Sequence, residues 1–143
     1  MSVASIAAAL GGIDILKTEP RSEFDLAAVA MAGLAVGAAS KLIENGLLAP
    51  DELYALVIPR RTFDRRIERR QPLTVTESDR LLRATRVIVR AVEALGDSEK
   101  GARWLRTANR ALRGSTPLAL LETDFGARMV EQTLGRIEHG VYS

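Results

Sequence analysis

The pattern of apolar and polar positions divides the chain into a succession of short amphipathic segments, and the clearest of them is the last. With about 100° per residue along a helix, Gly126, Ala127, Val130, Leu134 and Ile137 share one arc, enough to bury a helix against a core. Thr123 is placed to cap that helix, Asp124 puts a carboxylate at the positive end of its dipole, and Gly140 is placed to stop it. The opposite arc carries Phe125, Met129, Gln132 and Arg136, with Gly135 beside them. A surface helix has no internal need for a Phe and Met pair there. Gly135 costs about 1 kcal/mol relative to Ala in a helix interior, so a close backbone approach by a partner is expected to account for it. Beyond the stop, Val141, Tyr142 and Ser143 are too few to build structure but apolar enough to enter a pocket. Two apolar faces and a short apolar tail predict a partner-binding end.

Upstream, Leu81, Ala84, Ile88, Ala91, Val92 and Leu95 recur at spacings of three and four and predict a helix to about Leu95. Thr76-Glu-Ser-Asp79 resembles a capping box that opens it, and Gly96 closes it. Arg83, Arg86 and Arg90 form a stripe whose ordinary reading is a solvated face. A further helix is predicted from about Ser98 to Arg113, with Leu105, Ala108 and Leu112 inward and Trp104 as a core anchor. In the first half, Ser22 and Asp25 cap a helix through about Ala32, and Gly33 with Gly37 divides it from a second helix that runs to Asn45. The run from Leu26 to Ile43 is long enough to raise the question of a membrane span. It is Ala- and Gly-rich and contains Lys41, so insertion is weakly driven and two soluble helices are expected. The first 21 residues are small and apolar, with no basic residue ahead of Lys17 as a secretory signal would have. They are expected to form a mobile or loosely docked arm.

Between these halves lies a helix-turn-helix outline. Pro50 and Asp51 start a short helix, Ile58 and Pro59 end it, and Thr62 is placed to cap another. In the second helix Phe63 and Ile67 share an inward face, while Arg65 and Arg69 point away with Arg66 and Arg70 flanking. Arg60 and Arg61 precede them, placed to touch phosphates. Such a face suits a helix entering a DNA major groove, where arginines meet base edges and backbone. A solvated helix partnered by Asp64 and Glu68 is the other reading.

Composition narrows the class. The content is Ala- and Leu-heavy with few aromatics, which favours an all-α fold, and 143 residues are enough for one or two small domains. The net charge is only +2, but most basic residues are Arg concentrated between Arg60 and Arg113, so local charge matters more than the total. Cysteine is absent, which removes disulfides and suits a reducing cytoplasm, and the single histidine, His139, makes no zinc site alone. No Ser-His-acid set, Walker loop or dinucleotide fingerprint is present. Glu131 and Glu138, seven apart on the last helix, read as two exposed acids with arginine neighbours. Neither an enzyme, a cofactor nor a metal is expected.

The run Leu-Leu-Glu-Thr-Asp-x-Gly-Ala-Arg-x-Val-Glu-x-x-Leu-Gly-Arg-Ile-Glu-x-Gly-Val-Tyr, starting at Leu120, resembles the toxin-binding C-terminal region of the Xre/MbcA/ParS antitoxins. Asn109, Arg110 and Gly114 match the same pattern, and the Ile-Pro-x-Arg-Thr-x-x-Arg-Arg run from Ile58 resembles the Xre-like DNA-binding domain. The resemblance implies an N-terminal helix-turn-helix bundle, followed by a helical region that neutralises a RES-domain toxin consuming NAD or transferring ADP-ribose. It also implies a homodimer on operator DNA, autorepression, and a C-terminal end lying against the toxin's NAD cleft. The expected layout is an arm over residues 1–22, the helix-turn-helix region over 23–72, a connecting or dimerising helix over 73–96 and a toxin-binding domain over 97–143. DNA contacts fall to Arg60, Arg61, Thr62, Arg65, Arg66 and Arg69. Toxin contacts fall to Asn109, Phe125, Arg128, Met129, Gln132, Gly135, Arg136, His139, Gly140, Val141, Tyr142 and Ser143. The alternatives are a plain repressor whose C-terminal helices only dimerise and an adaptor with no DNA role.

Overall fold

The computed structural model describes residues 3–140, and these contain helices and no strand. In chain order the elements are α1 (Val3–Ala9), α2 (Gly12–Leu16), α3 (Glu23–Ala32), α4 (Val36–Glu44), α5 (Pro50–Leu56), α6 (Arg60–Arg69), α7 (Val75–Leu95), α8 (Ser98–Leu105), a 3-10 turn (Arg110–Leu112), α9 (Pro117–Leu120) and α10 (Asp124–Glu138). The chain forms two compact units that divide between Thr85 and Arg86, inside α7.

In the first unit the core is built from Ile6, Leu10, Leu34, Leu42, Leu53, Ile58, Leu73 and Leu81. Its first two members correct the expectation of an arm. Ile6 and Leu10 stand one helical turn apart and are fully buried, so the N-terminal segment is a docked part of the bundle. Ser22 caps α3 as expected, its hydroxyl accepting from the Asp25 N–H at 3.1 Å. The break after α3 falls at Gly33 alone, and Gly37 lies inside α4. Gly33 has φ +91°, and a Cβ there would meet the Leu73 carbonyl oxygen at 2.6 Å, so a side chain is excluded on both counts. The neighbouring Leu34 is anchored at both ends, its N–H donating to Ser78 Oγ at 2.9 Å and its carbonyl accepting from the Leu73 N–H at 2.8 Å.

The helix that follows opens two residues earlier than expected. Thr74 and Glu77 form the capping box, the Thr74 N–H donating to the Glu77 carboxylate at 2.9 Å and the Glu77 N–H to Thr74 Oγ1 at 3.1 Å. Thr74-Val-Thr76 offers two threonine frames, and the one with Glu77 at its third position prevails over the one with Asp79. Among the described residues no single helix is long and apolar enough to cross a membrane. Only α3 and α4 together pass by composition, and they are bent by 117°.

In the second unit Val87, Ile88, Ala91, Leu105, Leu112, Leu118, Leu121, Ala127, Val130 and Leu134 are buried. Asp97 caps α8, accepting from the Lys100 N–H at 2.7 Å. The predicted helix from Ser98 to Arg113 ends at Leu105 instead, and Ala108 is exposed. The cause is Asn109, whose side chain accepts from the Ala111 N–H at 2.9 Å and whose carbonyl accepts from the N–H groups of Leu112 and Gly114. An Asn that supplies its own backbone partners competes with helix continuation. Gly126, in the first turn of α10, touches the Leu120 carbonyl so closely that no Cβ fits, which sets α10 directly against the end of α9.

Candidate functional site

The basic helix of the first unit is presented by a tight frame. α5 opens with Pro50 in its first turn, and the Glu52 carboxylate accepts from the Ala49 N–H at 2.8 Å. Residues 57–59 connect it to α6, with Val57 and Ile58 buried, and the Tyr54 and Phe63 rings pack with centroids 6.2 Å apart. A short helix, a three-residue connection and a second helix anchored by one aromatic make a helix-turn-helix. Thr62 does not cap α6. Pro59 takes the cap position, because α6 begins at Arg60 and leaves Thr62 in its first turn. Ile67, expected inward with Phe63, is 45% exposed.

The six residues expected to meet DNA separate into two groups. Arg61, Arg65 and Arg69 lie on the exposed side of α6, and among the described residues none of them is held in an ion pair. Arg60 beside them is exposed and 3.8 Å from Asp64. Arg66 is turned the other way: its Nε and Nη2 donate to the Glu77 carboxylate at 3.3 and 3.1 Å, with side chains 16% and 12% exposed. It ties α6 to the start of α7 and is not available to a phosphate. The pairing spans 11 residues across a turn and has no periodic signal in the sequence.

In the second unit α10 carries the apolar face expected of it. Thr123 Oγ1 accepts from the Gly126 N–H at 3.0 Å, fixing the helix start. Phe125 is 78% exposed and Met129 45%, with Gln132 and Arg136 exposed on the same side. Arg128 completes this surface: its guanidinium lies 5.7 Å from the Phe125 ring centre and 3.0 Å from Asp124. A ring left in water but steadied by its own helix is pre-ordered for contact.

Two other residues expected at a partner surface lie elsewhere. Gly135 is half-buried, and a Cβ there would stand 3.3 Å from Arg90 Nη2, so the close approach that its missing side chain permits comes from α7. Arg90 bonds Glu138 at 3.0 Å and lies 3.8 Å from Glu131, which also receives Arg86 at 2.8 Å. Two arginines of the stripe read as solvated, Arg86 and Arg90, therefore form one ion-pair ladder with Glu131 and Glu138, while Arg83 pairs with Asp79 on its own helix at 3.2 Å. Sequence separations of 45 and 48 hide the ladder. Asn109 is buried as the organiser of the loop before α9. His139, by contrast, is the exposed residue that ends α10, its N–H donating to the Gly135 carbonyl at 3.1 Å, and Gly140 follows with φ +70°. Val141, Tyr142 and Ser143 lie outside the described residues. Among the described residues no group of three potential metal ligands occurs.

Comparison with known proteins assigns these two units separately. Residues 25–86 match the family model of the antitoxin Xre-like helix-turn-helix domain, and residues 90–140 match that of the antitoxin Xre/MbcA/ParS C-terminal toxin-binding domain. Over 122 residues the chain is 39% identical to an antitoxin Xre of Pseudomonas putida, spanning 85% of this chain and 76% of that protein. An antitoxin Xre of Photorhabdus laumondii is 39% identical over 84 residues, 58% of this chain and 57% of its own. One of Yersinia enterocolitica is 40% identical over 92 residues, 64% and 62% respectively.

Proposed function

We infer that this chain, which belongs to the Xre antitoxin family, neutralises a RES-domain toxin by covering its NAD cleft and represses its own operon through α5 and α6. The observation that carries the first half is the exposed Phe125 and Met129 pair on α10, inside the segment that matches the toxin-binding domain. Apolar anchors with a charged rim of Arg128 and Arg136 suit a protein surface, where a few such residues supply most of the affinity. Gln132 and His139 extend the same side of α10. On this reading Gly140 and the terminal Val141, Tyr142 and Ser143 meet the cleft itself, where a ring and a carboxylate suit a pocket built for a dinucleotide. Inhibition is then exclusion of NAD, and the antitoxin needs no catalytic group.

Operator binding is supported by Arg61, Arg65 and Arg69, three exposed guanidiniums on the second helix of the turn that have no ion-pair partner among the described residues. A second copy of the chain fits this reading, because helix-turn-helix proteins commonly read two half-sites as a dimer. The test is co-expression with the product of a neighbouring RES-type reading frame. Co-purification, loss of NAD consumption at one equivalent, and a gel shift of the upstream promoter are the expected results. Promoter binding without any toxin partner would favour a plain repressor whose C-terminal helices only dimerise.

A further inference from the structure

The outward side of α6 holds one residue that an electrostatic grip on DNA does not explain. Counting about 100° per residue, Glu68 lies about 20° from Arg61, about 60° from Arg65 and about 140° from the buried Phe63, near the centre of the exposed face. Glu68 is exposed, and among the described residues no ion pair holds it. The other acid on this side, Asp64, lies 3.8 Å from Arg60 and is offset by it. A free carboxylate at the middle of a face turned to a polyanion is repelled by phosphates, so it opposes binding unless a donor awaits it. We propose that Glu68 is a base-reading residue that selects cytosine in the operator half-site, with Arg61 and Arg65 beside it reading guanines. This rests on the reading of α5 and α6 as an operator-binding module.

The chemistry separates the four bases. An ionised carboxylate only accepts hydrogen bonds. In the major groove cytosine presents the N4 amino donor with no acceptor beside it, whereas adenine flanks its N6 donor with the N7 acceptor. Guanine offers N7 and O6, a pair of acceptors that suits an arginine fork, and thymine offers O4 beside a methyl group, and all three acceptors repel a carboxylate. Glu68 and Arg65, one turn apart on the same face, thus match a half-site in which cytosine and guanine adjoin.

The experiment is selection from randomised duplexes with the full chain and its Glu68→Gln and Glu68→Ala variants, followed by titration of the selected operator and its single-base variants. Circular dichroism checks that each variant is folded. The wild type is expected to select cytosine at one position per half-site, by about tenfold over the other bases. Glu68→Ala should leave that position degenerate, and Glu68→Gln, whose amide matches adenine N6 and N7, should move the preference to adenine. Variant base profiles that superimpose on the wild type, whether or not affinity falls on all duplexes alike, overturn the role of Glu68 and leave operator binding standing. If the wild type selects no sequence, the operator reading fails and the proposal fails with it.

Discussion

Gly135 and Arg90 meet across α7 and α10, with the Arg90 Nη2 3.3 Å from where a Cβ at position 135 would stand. The missing side chain leaves room for a guanidinium that bonds Glu138 at 3.0 Å. Arg90 is partly exposed and its tip is flexible, so it can yield the few tenths of an ångström that an Ala needs. Gly135→Ala should therefore melt at or above the wild-type temperature, because removing a glycine from a helix interior gains about 1 kcal/mol. Gly135→Leu fills the guanidinium's place and should lower the melting temperature measured by circular dichroism. A leucine variant that melts with the wild type would show that the ladder does not depend on this gap. Loss of toxin binding in Gly135→Leu is accordingly no measure of a partner's approach.

Glu77 does two things at once, capping α7 and holding Arg66. Glu77→Gln removes the charge from a pair whose members are mostly buried and leaves Arg66 without its counter-ion. A loss of about 3 kcal/mol in chemical denaturation is expected, as for a buried pair broken from one side. Stability within a few tenths of the wild type would mean that Arg66 finds solvent instead.

This division of the arginines gives operator binding a specific form. Replacing Arg65 and Arg69 with Ala should weaken binding: loss of Arg69 flattens the salt dependence by about 0.9 in log-log slope for its phosphate, and loss of Arg65 relaxes the choice of guanine. Arg66→Ala should lower stability while leaving that slope unchanged in whatever protein remains folded. Equal slopes for wild type and the Arg65/Arg69 double variant would move phosphate binding to Arg60 and Arg61 or to another element.

Where a local rule suffices, the sequence is legible. Ser22, Pro50 and Thr123 begin helices as their side chains dictate, and the alternation around Phe125 and Met129 places both outside. What it hides depends on partners far along the chain. Nothing near Arg90 announces Glu138, and nothing near Gly135 announces Arg90, so a glycine made for an internal neighbour reads like one made for a visitor. Asn109 is hidden differently: its self-capping loop ends α8 although Leu105, Ala108 and Leu112 keep helical spacing. The docking of the N-terminal helices has no local signal either, because Ile6 and Leu10 are only two large apolar residues among alanines and glycines, and their burial depends on a ready-made core.

The dimer proposed above is expected to pair through α3. Phe24 is 81% exposed and Met31 lies two turns on along the same side, while a cleft of about 480 Å³ is lined by their neighbours Asp25 and Ala32 together with Lys17, Thr18, Ala28 and Pro72. A protruding ring beside a hollow of mixed apolar and charged lining suits self-complementary pairing about a two-fold axis. Phe24→Glu should give a folded monomer by light scattering, with weaker binding to a two-half-site operator. A variant that remains dimeric would move the interface elsewhere.

The toxin-facing role proposed for α10 is tested most cleanly at its most exposed residues. Phe125 contributes little to the fold, since truncating a side chain so open to water changes stability by about 0.5 kcal/mol or less. At a protein interface the same truncation of a central aromatic costs about 2 kcal/mol or more, which is about thirtyfold in affinity. Phe125→Ala and Met129→Ala should therefore keep the wild-type melting temperature and operator binding while weakening toxin binding in calorimetric titration, Phe125 more than Met129. Arg128→Ala should fall between them, because it removes both a charged contact and the cation that steadies the ring. Asn109→Ala should do the reverse, lowering the melting temperature through its loop and affecting toxin binding only in proportion. Toxin affinity unchanged in the Phe125 and Met129 double variant would mean that the exposed side of α10 is not the inhibitory surface, and that neutralisation depends on another part of the 90–140 segment or on the residues after it.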